Sequence, residues 1–208
     1  MKRIKLPIST TSSMSIDMQN ITEDNIKVVD GQRVLHFGTF EPAKHIDDIS
    51  TIHSNGAQVL YAATTIEKNV EIIILEYFFG PILGINKERD FFSYELLQSS
   101  ALTFSFKKEL LQKIINNKKL LKGKRKNYLQ LNMKNIIEWR NAFAHGKVNH
   151  DNNIGFKLAY YSSSHKTIEL NDPYWTQVEK CFKDTEQLLN DVENTLLKIA
   201  MKNNLKKG

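Results

Sequence analysis

The sequence predicts a mainly α-helical protein, an antiparallel bundle of four to five helices with a small antiparallel β-sheet on one side. Long stretches in which apolar residues recur at helical spacing, separated by glycine, proline and asparagine, predict the bundle. Shorter segments in which apolar and polar residues alternate predict the sheet. A chain of 208 residues is long enough for one well-packed domain with some decoration.

The first predicted elements lie before residue 80. Residues 1–50 read as a polar N-terminal extension, and the alternation over residues 34–40 predicts a short strand within it. A helix is then expected from Ser54-Asn55-Gly56 to about Phe79. Gly80-Pro81 should end that helix, because glycine commonly follows a helix end and proline cannot continue it.

Two further helices are predicted in the middle of the chain. Apolar spacing indicates one over about 94–116, although Gln98-Ser99-Ser100 could instead start a new helix. A basic loop around Gly123 leads to the next helix, over about 127–145.

A β-hairpin and a long helix complete the predicted fold. Segments 154–161 and 166–170 alternate in the manner of a hairpin, and we expect the strand at 34–40 to join them because an isolated pair is marginal. Asn171-Asp172-Pro173 should cap the last helix. The helical domain is thus placed at residues 51–201, followed by a basic tail at 202–208.

Composition bounds the class of protein. No apolar stretch is long enough to span a membrane, and the N-terminus lacks the apolar segment of a secretion signal, so we expect neither a membrane partner nor export. A single cysteine, Cys181, cannot form an internal disulfide, which is typical of a cytoplasmic protein. The formal net charge of +6 is compatible with a polyanionic partner such as RNA.

The segment Arg140-Asn141-Ala142-Phe143-Ala144-His145-Gly146 is the strongest functional signal. On a helical wheel Asn141 and His145 lie about 40° apart with Arg140 to one side, while Trp139 and Phe143 form an inward-packing pair. Guanidinium grips phosphate with a rigid fork, and imidazole exchanges protons near neutral pH. These residue types together predict work on a phosphodiester.

The reaction that this pair supports is cleavage of RNA by its own 2′-hydroxyl, which leaves a 2′,3′-cyclic phosphate. His145 fits the acid–base role and Arg140 the stabilisation of the phosphate oxygens. Whether His145 begins as base or acid stays open, because the helix dipole favours its charged form whereas burial and a nearby arginine disfavour it. No metal site or cofactor is predicted from the residue spacing.

Other residues are expected to support this site. Glu138 falls about 20° from His145 on the wheel, Glu71 sits on the first long helix, and Lys147 follows the motif. RNA-backbone contacts are expected from the basic cluster, which comprises Lys118, Lys119, Lys122, Lys124, Arg125 and Lys126. One helix supplies one arginine and one histidine, so a homodimer would provide paired sets around one phosphate.

The motif resembles the R-x(4–6)-H motif of the HEPN superfamily in its Arg-Asn-x-x-x-His form, and the resemblance covers about residues 54–200. It implies a dimeric, metal-independent endoribonuclease, with Arg140 and His145 catalytic and Asn141 in support. It further implies a toxin or antiphage defence effector that cuts tRNA or other RNA, with an antitoxin or defence-complex protein as partner. One subgroup has a tyrosine two positions after the histidine; this chain has Lys147, so silencing by modification of that tyrosine is not expected.

Four alternatives stay open. Arg140 could be a structural residue paired to Glu138 or Glu71, with His145 as a helix cap. The basic cluster could be an ordinary solvated loop. The chain could also be an inactive member that binds RNA, a nucleotide or a protein, or an adaptor bundle in a defence complex.

Overall fold

A computed structural model of the chain describes residues 1–6, 26–29, 32–35, 42–81, 86–151 and 154–204. Within these residues the fold is mainly helical with a small three-stranded antiparallel sheet, as predicted. The helices are α1 (Pro42–Phe79), α2 (Lys87–Phe91), α3 (Phe104–Lys118), α4 (Gly123–His145) and α5 (Asp172–Asn204). The strands are β1 (Ile26–Val29), β2 (Gln32–Leu35), β3 (Lys147–Asp151), β4 (Gly155–Ser162) and β5 (Ser164–Glu169).

The core lies where α1, α3, α4 and α5 meet. Helix α1 contributes an apolar stripe that is almost fully buried, and each valine or isoleucine side chain in it contributes about 1.5–3 kcal/mol of burial free energy. The stripe consists of Val59, Ala62, Ala63, Ile66, Val70, Ile73 and Ile74. The predicted end of α1 is confirmed, since Gly80 has a φ of 77° and its N–H donates to the Glu76 carbonyl oxygen at 2.9 Å.

Helix α1 begins at Pro42, so the start predicted near Ser54 is wrong. Serine, asparagine and glycine favour helix N-termini, but here the packing of the surrounding helix overrides that local preference. The Asn55 side chain is buried and hydrogen-bonds residues of the N-terminus, and Gly56 lies against α4. The helix therefore crosses the boundary between residues 50 and 51, where the sequence placed the start of the helical domain.

The second predicted helix is divided in two. Helix α2 continues directly into a short π-helix, Phe92–Leu97, and α3 begins only at Phe104. The division falls at Gln98-Ser99-Ser100, the segment where a new helix was the alternative. Thr103 caps α3, because its hydroxyl accepts a hydrogen bond from the Phe106 N–H at 3.3 Å.

Helix α4 ends at His145 as predicted but starts at Gly123, four residues earlier than expected. The segment before it is not a simple basic loop. Lys119 ends α3 in the left-handed conformation, and Leu120 and Leu121 then turn inward and are buried.

The three-stranded sheet has the order β3-β4-β5, with both pairs antiparallel. The predicted hairpin is confirmed, and its turn is tight because Ser163 adopts a φ of 61° between paired Ser162 and Ser164. Among the described residues its third strand is β3. Residues 34 and 35 of the predicted 34–40 strand belong to β2, which pairs with β1, and residues 36–40 lie outside the described residues. Strand β3 follows α4 directly, so its pairing closes a shorter loop.

Helix α5 and the first six residues close the bundle. Asn171 caps α5 by accepting a hydrogen bond from the Tyr174 N–H at 2.9 Å, and the apolar inner face of α5, from Trp175 to Leu196, is buried. Ile4 and Leu6 are also buried, and backbone groups of residues 2–6 hydrogen-bond α1 and α5. None of the helices in the described segments is long and apolar enough to cross a membrane.

Candidate active site

Packing on the inner side of α4 fixes the position of the motif. The Trp139 indole is buried and meets the Tyr174 ring edge-on at 6.0 Å. Phe143 stacks on Trp175 with ring centroids 5.7 Å apart and lies directly against Gly56 of α1. The prediction that Trp139 and Phe143 pack inward is therefore confirmed.

The polar residues of the motif lie on the surface. Arg140, Asn141 and His145 are all exposed, and Arg140 Nη1 donates to Asn141 Oδ1 at 3.3 Å. Among the residues that the structure describes, no carboxylate lies within ion-pairing distance of Arg140. The guanidinium is thus oriented by an amide and keeps most of its donors for a ligand.

Gly146 allows the chain to leave α4 just after His145. Its N–H donates to the Ala142 carbonyl oxygen at 2.7 Å. A Cβ at this position would overlap that oxygen and would lie 2.8 Å from Leu158 Cδ1 and 3.0 Å from the Ala159 carbonyl oxygen. The end of α4 and strand β4 therefore approach as closely as only glycine permits, which places His145 and Lys147 at the rim of the sheet.

Glu138 interacts with the sheet, not with Arg140 or His145. Its Oε1 accepts hydrogen bonds from Tyr160 Oη at 2.8 Å and from Lys166 Nζ at 2.5 Å. The Lys166 and Tyr160 hydrogen bonds hold the pKa of the Glu138 carboxyl below its usual value. Burial, together with the bond to Glu138, raises the pKa of Tyr160 to about 12.

A groove with a volume of about 220 Å³ lies between α4 and the sheet. We call it the α4–sheet groove; its polar lining consists of Lys134, Glu138 and Asn141 from α4 and Tyr160, Ser162 and Lys166 from the hairpin. Asn141 belongs both to this groove and to the hydrogen bond with Arg140, so the groove and the motif are contiguous.

Of the polar groove residues outside the motif, Glu138 was expected from the sequence, whereas Lys134, Ser162 and Lys166 were missed. A usable signal existed on α4, where Lys134, Glu138, Asn141 and His145 follow one another at spacings of four, three and four and so share one helix face. Tyr160 and Lys166 carried no such signal, because their approach to Glu138 depends on the fold.

Glu71 lies far from the motif. It and Glu67 accept hydrogen bonds from Lys107 Nζ at 2.5 and 2.6 Å. Burial by itself would lower the pKa of Lys107, but the bonds to Glu67 and Glu71 outweigh burial and raise it. Fifteen residues separate Glu71 from Gly56, which contacts the motif helix, and they span about 22 Å of α1. The structure therefore does not bring Glu71 to Arg140.

The basic cluster lies at the opposite end of α4 from the motif. Sixteen helical residues separate Lys124 from Arg140, a distance of about 24 Å along the axis. Arg125 pairs with Asp191, and Lys118 Nζ lies 5.6 Å from the centroid of the Tyr77 ring. Lys119, Lys122 and Lys124 are exposed. A polyanion that contacts both regions must extend along α4.

Neither a protein-family model, nor a curated protein, nor a solved structure matches this chain. Within the described ranges, no group of three or more histidine, cysteine, aspartate or glutamate side chains is arranged to hold a metal ion.

Proposed function

We propose that this protein is a metal-independent endoribonuclease of the HEPN type, which cleaves RNA by attack of the 2′-hydroxyl on the adjacent phosphorus. Arg140 and His145 form the catalytic pair, and Asn141 orients Arg140. We further propose that it acts as a cytoplasmic toxin or antiphage defence effector, with tRNA as a candidate substrate and an antitoxin or defence-complex protein as partner.

The environment of Arg140 carries the proposal. An arginine that braces a fold is normally held by a carboxylate, but the carboxylates expected to do this, Glu138 and Glu71, bind Lys166 and Lys107 instead. Arg140 is exposed and in the described part of the chain hydrogen-bonds only Asn141. A guanidinium that is oriented but uncompensated suits the non-bridging oxygens of a phosphate.

The proposed chemistry forms a bond between the 2′-oxygen and phosphorus and breaks the bond between phosphorus and the 5′-oxygen. A base takes the 2′-hydroxyl proton, an acid protonates the 5′-oxygen, and Arg140 stabilises the charge that develops on the phosphate oxygens. His145 can perform one of the two proton transfers in a turnover. A second copy of the chain would bring a second His145 for the other, and therefore we propose a homodimer.

Incubation of the purified protein with total tRNA in EDTA tests this function. Cleavage that leaves 2′,3′-cyclic phosphate ends is expected for the wild type and should be lost in Arg140→Ala and His145→Ala. Arg140→Lys keeps the charge but not the planar fork, so it should recover little activity. His165→Ala is the matched control, because His165 is also exposed.

Expression in a host provides a second readout. Wild-type chain should arrest growth, and His145→Ala should not. Arrest that persists in His145→Ala, or tRNA that stays intact with folded wild-type protein, would contradict the proposal.

A second candidate function is an inactive module that binds RNA, a nucleotide or a protein. The α4–sheet groove favours it, because the groove is a polar concavity whose described lining contains no histidine. Retention of RNA without cleavage, unchanged by His145→Ala and weakened by added salt, would support this function over the enzyme.

A further inference from the structure

The lining of the α4–sheet groove includes a carboxylate, that of Glu138, which is held by hydrogen bonds on one of its two oxygens. Glu138 Oε1 is occupied by Tyr160 Oη and Lys166 Nζ, and these two bonds fix the orientation of the carboxylate. In the described part of the chain, no donor reaches the second oxygen, Oε2. A preoriented carboxylate with one open oxygen can select a ligand that carries an N–H donor.

The surroundings of that acceptor are cationic and polar. Lys134 and Lys166 line the groove together with the Ser162 hydroxyl, so an anionic ligand is favoured. The volume of about 220 Å³ is small for a drug-sized molecule or a folded partner and is suited to one planar base.

The groove also leads toward the motif. His145 lies on the same face of α4 as Glu138 and Asn141, about 6 Å beyond Asn141 along the axis. A nucleotide seated in the groove would therefore have its neighbouring phosphate near Arg140 and His145.

We propose that the α4–sheet groove binds the nucleotide next to the bond that is cut in single-stranded RNA, with Glu138 Oε2 accepting a hydrogen bond from the exocyclic amino group of its base. Lys134 contacts the phosphate of that nucleotide. This specificity rests on the proposed function for its role in cleavage, but the binding itself does not require activity.

The amino group gives the groove a base preference. A carboxylate accepts from the N4 amino group of cytosine, whereas uracil places a carbonyl oxygen, which a carboxylate repels, at the same position. Cytosine and uracil have the same size and stack weakly, so the pair isolates this one hydrogen bond.

Binding of two fluorescent 2′-O-methyl hexamers, one of cytidine and one of uridine, tests the inference. Both resist cleavage, because the attacking hydroxyl is blocked. The wild type should bind the cytidine hexamer about five- to tenfold more tightly. Glu138→Gln offers a donor as well as an acceptor and should bring the ratio close to one. Glu169→Gln, an exposed carboxylate on β5, is the control that should retain it.

A second variant tests the same hydrogen bond from the other side, and folding is checked for each variant. Lys166→Ala removes one of the two bonds that orient Glu138 and should also reduce the preference, while circular dichroism and thermal melting report whether each variant is folded. Equal binding of the two hexamers by the wild type, or a preference that survives Glu138→Gln, would overturn the inference.

Cleavage of the matching RNA hexamers separates the inference from the function. If the base preference depends on Glu138 but no RNA is cleaved, the proposed nuclease activity is refuted and the proposed binding site in the groove stands. If RNA is cleaved but no such base preference is found, the nuclease activity stands and the proposed binding site in the groove is refuted. Absence of both binding and cleavage would refute both.

Discussion

Gly56 on α1 lies directly against the ring of Phe143 on α4: a Cβ at residue 56 would stand 2.9 Å from Phe143 Cδ1. The same ring stacks on Trp175 of α5, with the ring centroids 5.7 Å apart. Phe143 is thus held by two helices, and its position sets that of the surrounding motif.

Gly56→Ala should therefore destabilise the protein. Overpacking costs about 1–3 kcal/mol, which exceeds the gain of up to about 1 kcal/mol from replacing glycine in a helix. We expect a net loss of about 1 kcal/mol in the free energy of unfolding, measured by urea denaturation. Phe143→Leu in the same chain should relieve part of the clash. If the losses in the free energy of unfolding are additive in the double variant, the contact is refuted.

Gly146→Ala should be more damaging. The new methyl group would meet the carbonyl oxygens of Ala142 and Ala159, which are backbone atoms that cannot turn away. A loss of about 3 kcal/mol is expected, visible as a large drop in the melting temperature. Lys147→Ala, at the exposed next position, should change stability little; similar drops in both variants would argue against the close crossing.

The lowered pKa of Glu138 predicts a pH dependence of stability. A carboxyl whose pKa is lower in the folded state contributes stability that is fully present above its unfolded value of 4.5 and is lost as the pH falls through the lowered value. Glu138→Gln should be less stable than the wild type at pH 7, and the difference should shrink below about pH 4.5. Urea denaturation between pH 3 and pH 7 measures this, with Glu169→Gln as control, and a constant difference would contradict it.

The basic cluster predicts a change in salt dependence. If exposed Lys122 and Lys124 contact an RNA backbone, replacing both with alanine should reduce the slope of log K against log salt by about 0.7 for each contact with a single strand. Fluorescence anisotropy over a range of KCl concentrations measures the slope. Lys180→Ala, on α5, is the control and should leave the slope unchanged. An unaltered slope in the Lys122→Ala, Lys124→Ala double variant would show that these lysines do not contact RNA.

The apolar faces of the long helices and the caps at Gly80 and Asn171 were predictable, because they depend on residues near in sequence. The start of α1 was not, since the Ser54-Asn55-Gly56 segment serves contacts with the N-terminus and α4 that local propensity does not reveal. Strand β3 was missed because its polar sequence, with one apolar residue, Val148, resembles a loop.

The candidate site also has a part that the sequence predicts and a part that depends on the fold. The inward packing of Trp139 and Phe143 and the outward position of Arg140, Asn141 and His145 followed from helix geometry. The partners of Glu138 did not, because Tyr160 and Lys166 reach it across the sheet.

The amide of Asn55 behaves like one rung of a β-ladder supplied by a side chain. It is fully buried, donates to the Lys2 carbonyl oxygen at 3.0 Å and accepts from the Ile4 N–H at 3.1 Å. Gly56, the next residue, touches Phe143, so the amino-terminal segment, α1 and the motif helix are connected through two consecutive residues. Displacing residues 2–4 would leave the buried amide N–H and the amide oxygen of Asn55 without hydrogen-bond partners, at a cost of about 1–3 kcal/mol for each group. A tag or fusion that displaces this segment should therefore shift the motif helix, because Asn55 and Gly56 connect the two.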